Sequence, residues 1–238
     1  MKKFLLHSAL FVVLILSSIG AIFYQADGYS DPFYIRFTSP KQNSLILGTS
    51  KAAHCFQPSE LKSLLPDHSL LNYSFTVAHS PYGPGYYKSI KRKMKKDAAN
   101  GIFIVTIDAW SIASDGEDPN DESLFPENKS FLYNLETVAS KPNVPYLLHW
   151  YRKNYLKFFE RDPVAFLHDD GWLEINAPMD EDIVVQRLQN KSKELTEKRE
   201  KFQFSETRLS YLYQTIEFLQ ALYNDIFIHG SIDLQPAV

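Results

Sequence analysis

Residues 45–58 read LILGTSKAAHCFQP, and the reading of this stretch decides the fold. An apolar run, Leu45-Ile46-Leu47, stops at Gly48-Thr49-Ser50, and a helix-compatible stretch follows. A short apolar run ended by glycine fits a strand buried on both faces. In open parallel sheets, functional groups gather beyond the carboxyl ends of the strands, which is where this tripeptide falls. A serine there exposes its hydroxyl, and the N–H groups that open the next helix can face a developing oxyanion. Ser50 or Thr49 can equally serve as a plain helix cap. The tripeptide alone leaves both readings open.

The sequence on either side supports a sheet. Residues 70–75 and the β-branched GIFIVTI at 101–107 read as further strands, and 225–228 as a short fourth. Helical stretches separate them: 58–65, with Pro58 at its start and Ser59-Glu60 in its first turn, and 85–99. This alternation predicts an α/β domain with a flavodoxin-like parallel sheet and helices on both faces. Past Asp108 the character changes. An acidic, loop-like segment at 114–128 precedes aromatic helices at 131–139 and 146–160. A turn-rich segment at 166–178 is followed by a polar helix at 181–202 with alternating charge and a helix at 205–223 opened by Ser205.

The amino terminus is of another kind. Lys2 and Lys3 precede residues 4–24, which carry no Asp, Glu, Lys or Arg and have the length of a bilayer span. A cleaved signal has a shorter apolar core and an A-x-A-like site; here Ser18-Ile19-Gly20 lies inside the run. Residues 1–24 therefore read as an uncleaved signal anchor. The lysines hold the N-terminus in the cytoplasm, so the body is extracytoplasmic. Residues 25–43, with Gly28, Pro32 and Pro40, read as a juxtamembrane connector whose Tyr29, Phe33, Tyr34 and Phe37 suit the membrane interface. Residues 44–238 form the α/β domain.

Composition narrows the function classes. A net charge of −3 gives no pull towards nucleic acid, and a lone cysteine, Cys55, can form no internal disulfide. No motif signals a cofactor. His168-Asp169-Asp170 is not a metal set, because neighbours in an extended segment point opposite ways; a turn ending in Gly171 fits better. Lys88, Lys91, Arg92, Lys93, Lys95 and Lys96 read as a solvated helix face with a basic end, and alternatively as a docking face for anionic membrane or polymer. Tyr82, Tyr86, Tyr87 and Trp110 lie close enough in sequence to the expected cleft to stack on sugar rings, although core packing explains such aromatics more often.

Taken together, LILGTSKAAHCFQPSEL, LLNYSF and GIFIVTIDAW resemble the SGNH/GDSL hydrolases, in particular their membrane-anchored bacterial branch of exopolysaccharide O-acetylation and D-alanyl transfer proteins. The matching features are the anchor, Gly48-Thr49-Ser50, Pro58-Ser59-Glu60-Leu61 and Asn72 on the second strand. The resemblance covers roughly residues 30–112. It implies an esterase or acyltransferase on cell-surface glycan or polymer, with Ser50 as nucleophile. Gly48, Thr49, Asn72, Ser74 and Asp108 would lie about the oxyanion and substrate cleft.

The chain departs from the family pattern in three places. The loop at 76–83 has no glycine before Gly83, and Asp108-Ala109-Trp110-Ser111 stands where the third block has Asn. The Asp-x-x-His that supplies the general base is absent; His229 ends the fourth strand, but residue 226 is Ile. This implies a domain incomplete at its carboxyl end, a substitute base, or an inactive homologue that binds glycan or assists assembly. His79 on the loop after the second strand is the best substitute. His54, four residues after Ser50, reads more naturally as a polar residue near the pocket.

Overall fold

A computed structural model describes residues 1–96, 100–150, 164–222 and 228–229. The apolar amino terminus forms α1 (Lys2–Tyr24), one helix of 23 residues, long and apolar enough to cross a membrane. It is exposed through residue 21, and burial begins at Ile22 and Phe23, which pack into the main core. The chain then turns tightly: Asp27 Oδ1 accepts the N–H groups of Tyr29 and Ser30 at 3.0 and 3.1 Å. Asp31 Oδ1 accepts those of Phe33 and Tyr34 at 2.7 and 3.0 Å and so opens α2 (Tyr34–Thr38). Phe33, Tyr34, Arg36 and Phe37 are all buried. The connector reading of 25–43 is thus corrected at Phe33, Tyr34 and Phe37, which belong to the protein core rather than to a membrane interface.

β1 (Ser44–Leu47) leads into α3 (Ser50–Cys55) and α4 (Pro58–Leu61), then β2 (Leu70–Asn72), α5 (Pro84–Lys93) and β3 (Phe103–Val105). The first three strands are parallel, with β1 in the middle: Leu45 is level with Leu71 and Phe103. Successive side chains point to opposite faces. Leu45, Leu47, Leu71, Phe103 and Val105 enter the large core with α2 and α5, while Ile46 and Leu70 meet Ala52, Phe56, Leu61 and Leu65 on the other.

Beyond β3, the short strand β4 (Ala113–Ser114), α6 (Phe131–Asn134) and α7 (Val144–Trp150) follow. The turn-rich segment forms an antiparallel hairpin, β5 (Ala165–Leu167) with β6 (Leu173–Ile175). Gly171 sits in its turn at φ 84°, and a Cβ there would lie 2.1 Å from Asn72 O. α8 (Glu181–Lys201) buries none of its residues. β7 (Gln203–Phe204) pairs with β4, and α9 (Glu206–Leu222) packs on α5. Ser205 Oγ accepts the Arg208 N–H at 3.2 Å, as its expected capping position requires. Last, β8 (Ile228–His229) joins β3 in parallel, giving the order β2-β1-β3-β8. The expected helix at 146–160 and the strand at 225–228 lie partly outside the described residues.

Buried cations tie these pieces together. Arg36, fully buried, donates to the carbonyls of Asn72 (2.8 Å), Pro32 (3.0 Å) and Gly171 (2.6 Å), joining α2, β2 and the hairpin. Lys93 Nζ reaches the carbonyls of Arg36, Ser39 and Val138 at 2.6–2.7 Å. It is therefore not on the solvated basic face; it terminates the buried stripe Tyr86, Ser89 and Ile90 at helical spacing. Arg208 forms a buried two-pronged pair with Glu127, at 2.6 and 3.0 Å, fixing α9 to the segment before α6.

Candidate functional site

The site is built at the carboxyl end of β1. Gly48 has φ 151°, and a Cβ there would stand 1.9 Å from Thr106 Oγ1, so only glycine lets the chain leave the strand here. The Gly48 N–H donates to Tyr86 Oη at 3.1 Å, and its carbonyl accepts Ser80 Oγ at 2.8 Å. Tyr86 Oη in turn donates to Tyr73 O at 2.8 Å. Tyr82 Oη donates to Thr106 O at 2.8 Å. Tyr82 and Tyr86 are thus core residues that brace the strand ends, not platforms for a sugar; burial raises both phenol pKa values.

Thr49 and Ser50 are treated differently. Thr49 is buried and donates to Asp108 Oδ2 at 2.6 Å. Asp108 Oδ1 accepts the Ser111 N–H at 2.8 Å, and Ser111 Oγ accepts the Asp108 N–H at 3.0 Å. The Asp108 carboxylate thereby ties β1 to the turn after β3 and is occupied with structure. Ser50, the first residue of α3, is half-buried, and its hydroxyl makes no hydrogen bond among the described residues.

Asn72 and Ser74 are fully buried. The Asn72 amide donates to the carbonyls of Ala52 and Phe56, each at 2.9 Å, and its Oδ1 accepts the Ser74 N–H at 3.2 Å. Asn72 therefore holds the carboxyl end of α3, and with it the angle at which Ser50 is presented. Ser74 Oγ donates to Ile46 O at 3.3 Å. Both side chains are turned into the fold rather than into a cleft.

The loop after β2 is clamped to the same place. Phe75 N–H reaches Gly48 O at 3.4 Å and Ser80 Oγ at 3.2 Å, while the N–H groups of His79 and Ser80 both close on Thr76 O at 2.8 Å. The N–H groups of Val77 and Ala78 have no acceptor among the described residues. They are the free donors of a loop anchored two residues from Ser50.

The histidines do not complete a base. His79 Nδ1 pairs with Thr76 Oγ1 at 2.7 Å, and its ring lies against Phe33 and Phe131, with centroids 5.0 and 4.9 Å away. Burial lowers its pKa from 6.5 to about 4, so it is neutral at pH 7. No hydrogen bond links it to Ser50. His54 Nδ1 pairs with Leu173 O at 3.0 Å and its carbonyl accepts Trp172 Nε1 at 2.9 Å, so it fastens the hairpin over α3. The backbone of His229 is level with Ile104, one residue short of the end of β3. His168 pairs with Glu174 at 2.8 Å and stacks on Trp172; no group of metal-binding side chains occurs among the described residues.

Comparisons of the chain with protein-family models, with curated proteins and with solved structures found no match. Interpretation therefore rests on the residues. The sequence pointed to Ser50, Gly48 and the loop after β2. It gave no role to Ser80 or Thr106, whose contacts to Gly48 and Leu47 are made across the fold and leave no local pattern, nor to Ser111, which closes the turn at Asp108.

Proposed function

We propose that this protein is a single-pass, membrane-anchored extracytoplasmic domain of SGNH type, with a flavodoxin-like sheet, acting as an esterase or acyltransferase on cell-surface glycan or a related polymer. The observation that carries the reading is Ser50: half-buried, its hydroxyl without a hydrogen bond among the described residues, and set at the end of β1 by a glycine no other residue can replace. Ser50 Oγ would attack the ester carbonyl carbon of an acyl donor. Its proton would pass to the departing alcohol, leaving an acyl-enzyme that water or a polymer hydroxyl then resolves. The N–H groups of Ser50, Val77 and Ala78 are the candidate donors to the tetrahedral oxyanion.

A different observation favours a second reading, a catalytically inactive glycan-binding or assembly component: no histidine or carboxylate is hydrogen-bonded to Ser50 among the described residues. A fluorophosphonate probe separates the two. The esterase reading expects covalent labelling of the full-length protein in membranes and none of Ser50→Ala. Equal labelling of the two, or none of either, removes Ser50 catalysis and leaves the binding role.

A further inference from the structure

We propose that the outer face of α7, carrying Val144 and Leu148, is seated in the headgroup–acyl boundary of the bilayer that α1 crosses. The inference rests on reading α1 as an uncleaved anchor. A hydrocarbon core of about 30 Å takes about 20 residues at a helical rise of about 1.5 Å. Counted from Phe4, such a span ends near Phe23, and burial in the domain begins at Ile22 and Phe23. No linker separates the two, so the domain starts where the hydrocarbon ends.

What is fixed beside that point is α7. Asp31 follows the last residue of α1 by seven positions, through the tight turn at Asp27, and Tyr146 Oη donates to Asp31 Oδ1 at 2.9 Å. The Asn143 N–H donates to Tyr34 Oη at 3.1 Å, and its side chain to Phe37 O at 3.2 Å. Inward, Tyr146 and Leu147 are fully buried; outward, Val144 and Leu148 stand 42 % and 53 % exposed, one helical turn apart. Single exposed apolar residues are ordinary on any surface. A pair on one stripe, bonded to the segment that leaves the bilayer, matches an interfacial helix face. Tyr24, 68 % exposed as the last residue of α1, suits the aromatic belt of that boundary. The occupant is therefore lipid, contiguous with the lipid around α1.

The test uses the full-length chain with Cys55→Ser, carrying a nitroxide at Val144→Cys, Leu148→Cys or the control Leu64→Cys, which replaces a side chain 75 % exposed beyond α4. Resistance of the chain to alkaline extraction from membranes is measured first. In lipid nanodiscs, the ratio of oxygen to nickel-chelate collision rates is expected to be about threefold or more higher at 144 and 148 than at 64. Equal ratios in an alkali-resistant chain overturn the seat and leave the anchor standing. An extractable chain overturns both.

Discussion

The carboxyl end of the sheet has two unlike halves. On the β3 side, polar groups are matched: Thr49 with Asp108, Asp108 with Ser111, Thr106 with Leu47 O. On the other side, Ser50 Oγ and the N–H groups of Val77 and Ala78 have no partner among the described residues. Buried polar groups need partners to repay desolvation, so the matched half is explained by stability alone. The unmatched half is not. Open donors and a hydroxyl beside a rigid frame are what a ligand would fill, and this contrast is what supports the proposal that Ser50 lies on the working side.

The frame can be broken selectively. Gly48→Ala should have the largest effect, about 3 kcal/mol of lost stability, through positive-φ strain and overlap with Thr106; denaturant unfolding measures it. Asp108→Ala should cost about 2 kcal/mol, since it orphans the buried Thr49 hydroxyl and leaves the Ser111 N–H with only the Asp108 carbonyl. The third test is acid. His79 has its folded-state pKa at about 4, below its ordinary 6.5. Between those values the unfolded chain binds more protons, so stability is complete above pH 6.5 and falls as pH drops towards 4. The loss from this group should reach about 3 kcal/mol by pH 4 and should vanish from the pH profile of His79→Phe. By contrast, Ser50→Ala, the variant that should abolish probe labelling, is expected to shift stability by less than about 0.5 kcal/mol. A large loss there would mean that Ser50 belongs to the frame after all.

Much of the sheet was legible because its signals are local. Leu45-Ile46-Leu47 is buried on both faces and GIFIVTI is buried on one and half-buried on the other, and a glycine closes or opens each run, so composition alone announces a strand. The connector was misread because Phe33, Tyr34 and Phe37 satisfy two environments equally: a membrane interface and a protein core both take aromatics. Lys93 was counted with its exposed neighbours, although Tyr86, Ser89, Ile90 and Lys93 already trace one face of a helix. Arg36 had no signal at all; its acceptors are carbonyls of Pro32, Asn72 and Gly171, and backbone groups carry no sequence identity. Among the site residues, Asn72 and Asp108 were found by position but assigned to the cleft, when their partners lie within the fold.

The direct passage from α1 into the core sets the range over which the domain can work. A flexible stalk lets a tethered domain sweep a hemisphere whose radius grows with the length of the stalk. With burial starting at Ile22, this chain has no stalk. In a bilayer, Ser50 would keep a constant altitude and a constant tilt and would explore only the plane of the membrane. If the proposed polymer substrate is right, it would have to be met where it leaves the lipid.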